Sequence, residues 1–186
     1  MRGEDFHFCP FFSDLTALLP CPLGRIVLDL EDLMLKWTID TARPEDLPAL
    51  SDLLADLFSQ ETDFSIDRGR QIRGLGMILA SPDRGTLLVA REPSGAVVGM
   101  VSLQLLVSTA AGGISGQIED LVIHREVRSR GLGSRLLREA LAFGRARGCL
   151  RFQLAADIRN LPALSFYQRQ GFRRSHMSVL YLGEEA

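Results

Sequence analysis

The chain has 186 residues, 46% of them hydrophobic, with 21 basic against 23 acidic side chains and a formal net charge of −2. This length and apolar content suit one domain with a sizeable core. The charge balance argues against nonspecific nucleic-acid binding, and no apolar run reaches the roughly 18 residues a membrane span requires. Cys9, Cys21 and Cys149 are an odd set without C-x-x-C spacing. They fit reduced thiols in a cytoplasm rather than a disulfide framework, and no four convergent ligands suggest a metal site.

Residues 1–33 stand apart. Glu4, Asp5, Asp14, Asp29, Glu31 and Asp32 face only Arg2 and Arg25, a local charge of −4. Pro10, Pro20, Pro22 and Gly24 break any long helix, while Phe6, Phe8, Phe11 and Phe12 are too apolar for a comfortable linker. The segment reads as an N-terminal extension of unknown role, either an ordered arm or a stretch upstream of a natural start at Met34, with a single domain over 34–186. Lys36 is the only lysine, so positive charge is almost entirely guanidinium.

From Trp37 the elements follow in order. Trp37 to Thr41 reads as an edge strand. Pro44 starts a helix whose Leu47, Leu50, Leu53, Leu54, Leu57 and Phe58 form one apolar stripe. A second helix is predicted over Asp67 to Ala80. Asp52, Asp56, Glu61 and Asp63 read as a solvated acidic face before it. Thr86 to Arg91 and Ala96 to Val107 are β-branched apolar runs joined by Glu92-Pro93-Ser94-Gly95, a hairpin turn. The small-residue loop Ser108 to Gly113 leads into a strand ending Ile118-Glu119-Asp120-Leu121-Val122-Ile123.

That strand runs into Arg128-Ser129-Arg130-Gly131-Leu132-Gly133-Ser134, and Leu132, Leu136, Leu137, Ala140 and Leu141 then repeat at helical spacing. The two glycines therefore sit at a helix N-terminus, where unpaired N–H groups and the positive end of the helix dipole face an anion. Arg125, Arg128 and Arg130 add guanidinium donors suited to phosphate oxygens. A P-loop is excluded because no lysine follows Gly133. A dinucleotide-binding turn fits less well, since Leu136 stands where its third glycine should be. Arg/Gln-x-x-Gly-x-Gly/Ala directly after a strand fits at every defined position.

A further strand, Leu150 to Ala156, precedes Asn160, Pro162, Ala163, Phe166-Tyr167 and Gly171-Phe172. Asn160 is a good N-cap, Pro162 falls in the first helical turn and Gly171 is a good stop. A final strand is expected after this helix. With the glycine turn, this segment resembles the GCN5-related N-acetyltransferase (GNAT) family over roughly residues 36–182.

The resemblance implies an α/β domain of the α+β type: a mixed, mostly antiparallel central sheet, split where the strand before the glycine turn splays from the next, flanked by about four helices. It implies acetyl-CoA as cosubstrate, with Leu121, Val122, Ile123, Arg128, Arg130, Gly131, Gly133, Ser134 and Asn160 holding it. Tyr167 would protonate the departing thiolate. Glu119 is the best-placed base; Asp120 points to the opposite face in a regular strand, and a bulge would exchange the two. The expected activity is acetyl transfer to a primary amine of a small or amino-acid-like molecule, with no nucleic-acid or membrane partner and with a homodimer compatible. Histone-modifying members carry the glutamate two residues earlier, where this chain has Gln117, which weakens the case for a protein-lysine substrate. A peptide N-acetyltransferase and a catalytically idle acyl-CoA-binding module are the alternatives.

Overall fold

A computed structural model describes residues 37–60 and 65–182. The extension assigned to residues 1–33, Cys9 and Cys21 with it, lies outside the described residues, as do Met34, Glu61 and Asp63. The described chain runs β1 (Thr38–Thr41), α1 (Leu47–Phe58), α2 (Arg68–Leu79), β2 (Gly85–Arg91), β3 (Val97–Ser108), β4 (Gly113–Ile123), α3 (Leu132–Ala146), β5 (Cys149–Leu154) and α4 (Leu161–Arg169). Short 3-10 turns over Pro44–Asp46 and Arg125–Val127 precede α1 and α3.

The five strands lie in the order β1-β2-β3-β4-β5. The first three pairings are antiparallel and β4 with β5 is parallel. This is the expected mixed, mostly antiparallel sheet. Gly95, with φ of 88°, closes the β2–β3 hairpin by donating its N–H to the Glu92 carbonyl at 2.8 Å. At α2, Asp67 caps the helix by accepting from the Arg70 N–H at 2.9 Å.

Each face of the sheet has its own core. On one, the α3 stripe of Leu132, Leu136, Leu137 and Ala140 packs on Val101, Leu103 and Ile118. On the other, Leu50, Leu53 and Leu54 of α1 and Leu75 of α2 pack on Leu87, Val89, Met100 and Val122. Helix α3 lies close to the sheet: a Cβ added at Gly144 would come within 2.8 Å of Phe152 Cζ and 3.1 Å of Leu103 Cδ2.

An ion cluster ties the N-terminal elements together. Arg91 at the end of β2 binds Asp46 through two parallel bonds of 2.8 and 2.6 Å, and its Nε donates to Asp40 of β1 at 3.0 Å. Asp46 also accepts the Arg43 N–H at 2.7 Å. The Arg91 guanidinium holds the nearly buried Asp46 carboxyl below the usual carboxylate range.

The expected strand after α4 does not form among the described residues. Met177, Val179, Leu180, Tyr181 and Leu182 are all exposed. With no ladder to the sheet among the described residues, these side chains have no face to pack on, and no burial offsets the entropy of ordering the segment.

Candidate active site

The parallel ladder between β4 and β5 runs from Ile114 opposite Cys149 to Ile118 opposite Leu154, and stops. Strand β4 continues for five more residues to Ile123, beyond the last residue paired with β5. The two strands thus splay at the point where β4 heads for the glycine turn. Backbone groups left unpaired inside a fold need another partner, and a ligand is one. A cleft of about 380 Å³ opens here, and its walls include Leu121, Val122, Ile123, Arg128, Gly131, Gly133, Ser134, Asn160 and Tyr167. Leu57 and Gln60 from the end of α1 also line it. Nothing in the sequence marks those two, since an apolar helix position and a polar helix end are commonplace.

The turn before α3 leaves the helix start uncapped by any side chain. Ser129 and Gly131 take positive φ of 62° and 78°, and Gly131 occupies the N-cap position, with no side chain capping the helix. The Arg135 N–H bonds back to the Gly131 carbonyl at 3.1 Å. The amides of Leu132, Gly133 and Ser134 precede it, so helical geometry gives them no acceptor. No acidic side chain occupies the first turn. A Cβ at Gly133 would meet nothing nearer than Ile123 Cγ1 at 3.7 Å. These amides, beside the cleft-lining Arg128, fit a pyrophosphate.

The arginines divide. Arg128 lines the cleft, and its Nε donates to the Ile123 carbonyl at 2.8 Å, fastening the strand end to the turn. Arg130 donates to the Glu126 carbonyl at 3.3 Å and is not among the cleft-lining residues. Arg125 instead lines a separate groove of about 410 Å³ with His124, Asp52, Asp56 and Arg68. Ser134 Oγ accepts from Gln170 Nε2 at 3.2 Å, which joins the start of α3 to the end of α4.

Asn160 caps α4, its Oδ1 accepting from the Ala163 N–H at 3.1 Å, so that its amide NH2 is left as the donor end. Two turns on, Tyr167 lies edge-on between Phe166 and Phe172, with ring centroids 5.1 and 5.9 Å away. These contacts fix the phenol ring on the α3 side of the sheet, where it packs against the core of that face.

The carboxylates of β4 sit on a bulge. Met100 pairs with Val122 but Ser102 with Glu119, so Asp120 and Leu121 together oppose Val101. Asp120 absorbs the extra residue with φ of 53°. Alternation shifts by one: Ile118 packs on the α3 side as do Leu121 and Ile123, whereas Val122 joins Met100 on the α1 side. Both carboxylates end on the α1 side. Glu119 Oε2 accepts from Gln104 Nε2 at 3.0 Å, and Asp120 Oδ2 lies 3.5 Å from the Oγ of the fully buried Ser102, which also donates to the Glu119 carbonyl at 3.1 Å.

Cys149 is buried at the start of β5, and burial pushes its thiol pKa up, which makes it a poor nucleophile. Among the described residues no helix is long and apolar enough to cross a membrane.

Residues 47–172 match the family model for the acetyltransferase (GNAT) family. The chain is 30% identical over 146 residues to an aminoalkylphosphonate N-acetyltransferase of Salmonella typhimurium, spanning 78% of this chain and 91% of that one. It is 34% identical over 89 residues to a glucosamine 6-phosphate N-acetyltransferase of Trypanosoma brucei brucei, spanning 47% and 58%. Among solved structures, a protein from Bacillus halodurans C-125 described as a transcriptional regulator superposes with a TM-score of 0.70 at 26% identity, over 79% of this chain and 99% of that one.

Proposed function

Since the chain belongs to the GNAT family and is thereby an acetyl-CoA-dependent acyltransferase, we propose that it moves an acetyl group directly from acetyl-CoA to the primary amine of a small molecule. The observation that carries this reading is the cleft where β4 and β5 part, because one opening joins an uncapped helix N-terminus, an unpaired strand edge and a tyrosine. Acetyl-CoA, when bound, supplies an acetyl group activated as a thioester.

In this reading the amides of Leu132, Gly133 and Ser134, with Arg128, Arg130 and Gly131, hold the pyrophosphate, and Ser134 and Asn160 orient the cofactor by side-chain bonds. Backbone groups of Leu121, Val122 and Ile123 line the pantetheine arm. Their N–H groups stabilise charge that develops on the acyl oxygen, a contribution that is often the largest in acyl transfer. Tyr167 gives its hydroxyl proton to the sulfur that leaves. The acceptor's proton goes to a carboxylate of β4.

Support for a small acceptor comes from the relatives, whose names give an aminoalkylphosphonate and glucosamine 6-phosphate as their substrates. Both are amines on small phosphorus oxyanions. The test is thiol release from acetyl-CoA across a panel of small amines that includes both compounds, run beside N-terminal peptides. Turnover confined to peptides overturns the small-molecule reading, and tight CoA binding without thiol release on any amine leaves the chain an acyl-CoA binder.

A further inference from the structure

The face of the sheet beside the split carries a row of amides that no core residue explains. Leu103, Leu105, Ile118, Phe152 and Leu154 pack on the α3 side, so alternation turns Gln104, Gln117, Gln153 and Arg151 to the α1 side. The core on that side draws on β2, the start of β3 and the end of β4, and on no residue of β5. Among the described residues this corner of the sheet is uncovered: Arg151 and Gln153 are exposed, Gln104 and Gln117 half-buried.

Gln104 pairs with Gln117, and Gln117 with Gln153, so three amides stand side by side across about 10 Å of sheet. Each offers a ligand something different. Gln104 donates its NH2 to Glu119 at 3.0 Å and keeps its carbonyl, while Gln153 accepts from Arg151 at 3.4 Å and keeps its NH2. Gln117, between them, makes no side-chain hydrogen bond among the described residues and keeps both ends. Acceptors and donors in this order match hydroxyl groups, which do both.

A solvated sheet face needs only polar residues. This row also has a place. The next rung, Ile118 opposite Leu154, is the last before β4 and β5 part, and the cleft at that split reaches the α1 side, where Leu57 and Gln60 wall it. An amine that enters from this side leaves the rest of its molecule over the three amides. Beyond them stands Arg151, three residues before Leu154 and hence about 10 Å from the split. It bonds Ser108 and Gln153 at 3.3 and 3.4 Å, and no described acidic side chain pairs with it, so its remaining donors suit a phosphate or carboxylate. Resting on the acetyl-transfer reading above, we propose that the acceptor is an amine on a hydroxyl-bearing frame with an anionic group about 10 Å from the nitrogen. Gln104, Gln117 and Gln153 read its hydroxyls and Arg151 holds its anion. A phosphorylated amino sugar has this form, whereas a short aminoalkylphosphonate has neither the hydroxyls nor the reach.

The test compares glucosamine 6-phosphate with glucosamine, which lacks the anion, and with ω-aminohexyl phosphate, which lacks the hydroxyls, by thiol release. The first should exceed each of the others in kcat/KM by about 10- to 150-fold, the range for one charge-assisted hydrogen bond or several neutral ones. Arg151→Gln should bring the ratio to glucosamine near one and leave the ratio to ω-aminohexyl phosphate as it was. Gln117→Leu should do the reverse, lowering the ratio to ω-aminohexyl phosphate by about 2- to 10-fold. A merely structural role would not give this crossed pattern, and a ratio taken within one preparation does not move when part of it is unfolded. Equal kcat/KM for the three amines, a preference for aminoethylphosphonate, or ratios unmoved by either variant overturns the assignment. Failure of the acetyl-transfer reading shows separately, as a wild-type protein that releases no thiol with any amine.

Discussion

Replacing Gly133 with alanine should move stability and ligand affinity in opposite directions. The added Cβ would sit 3.7 Å from Ile123 Cγ1 and 3.8 Å from Phe166 Cζ, ordinary van der Waals distances. Gly133 lies in the first turn of α3 and is not among the glycines with positive φ. Alanine at a compatible helical position stabilises by about 0.4–1 kcal/mol, chiefly by restricting the unfolded chain. For a domain of this size that is a rise of roughly 1–4 °C in melting temperature. The same methyl group stands beside Ile123 and Phe166, two residues of the cleft wall, next to the α3 amides. If it forfeits one charge-assisted hydrogen bond to a phosphate, about 1.5–3 kcal/mol, CoA should bind roughly 10- to 150-fold more weakly. Gly131→Ala is the contrasting control. Its φ of 78° puts an alanine in the left-handed region at a cost of about 1–2 kcal/mol, so its melting temperature should fall. Thermal unfolding and calorimetric titration with CoA check both variants. CoA affinity unchanged in both variants would refute the placement of the pyrophosphate at this helix end, and a fall in the Gly133→Ala melting temperature would refute the ordinary van der Waals spacing around that glycine.

Three further outcomes are expected. Tyr167→Phe should keep CoA affinity and lower turnover by about 10²- to 10⁴-fold in the thiol-release assay, and unchanged turnover would remove the phenol from the chemistry. Arg91→Ala leaves the nearly buried Asp46 without its countercharge and should destabilise by about 3–5 kcal/mol in denaturant melts. Because the folded Asp46 pKa is lowered, the stability this carboxylate contributes is present above its unfolded value near 4 and is lost as pH falls through the lower folded value. Wild type should therefore lose stability in that acid range, and Asp46→Asn should show a smaller loss there. Gly144→Ala forces a methyl group against Phe152 and Leu103 and should cost about 1–3 kcal/mol, read from the same melts.

The parts of the fold legible in the sequence are those governed by local rules. The α3 stripe, the Asn160 cap and the Glu92 to Gly95 turn each follow from spacing or from one residue's backbone preference, and each stands where it was expected. The glycine turn was legible as a helix start for the same reason. Features set by pairing between distant segments were not legible. The one-residue slip at Asp120 depends on how β3 and β4 register, and it puts two adjacent carboxylates on one face against simple alternation. Likewise Arg91 is 45 residues from the Asp46 it binds, and Gln60 reaches the cleft only because α1 crosses that face of the sheet. The final strand was expected as the last element in the order of strands and helices, which does not say whether a surface exists to cover it.

Helix α4 has no buried residue, whereas α1, α2 and α3 each have at least two. The cleft therefore spans two regions of unequal local stability. Its glycine wall belongs to a helix anchored by four buried side chains, and its tyrosine wall belongs to one held by ring contacts, by Phe166 and Tyr167 against the core of that face, and by a cross-helix bond to Ser134. Elements with so little burial open at a small fraction of the global unfolding free energy. A ligand that touches both walls closes that gap, so part of its binding energy is spent on ordering α4. If CoA is that ligand, opening of α4 and release of CoA become one event, and the rate of turnover is tied to how readily the least buried helix lets go.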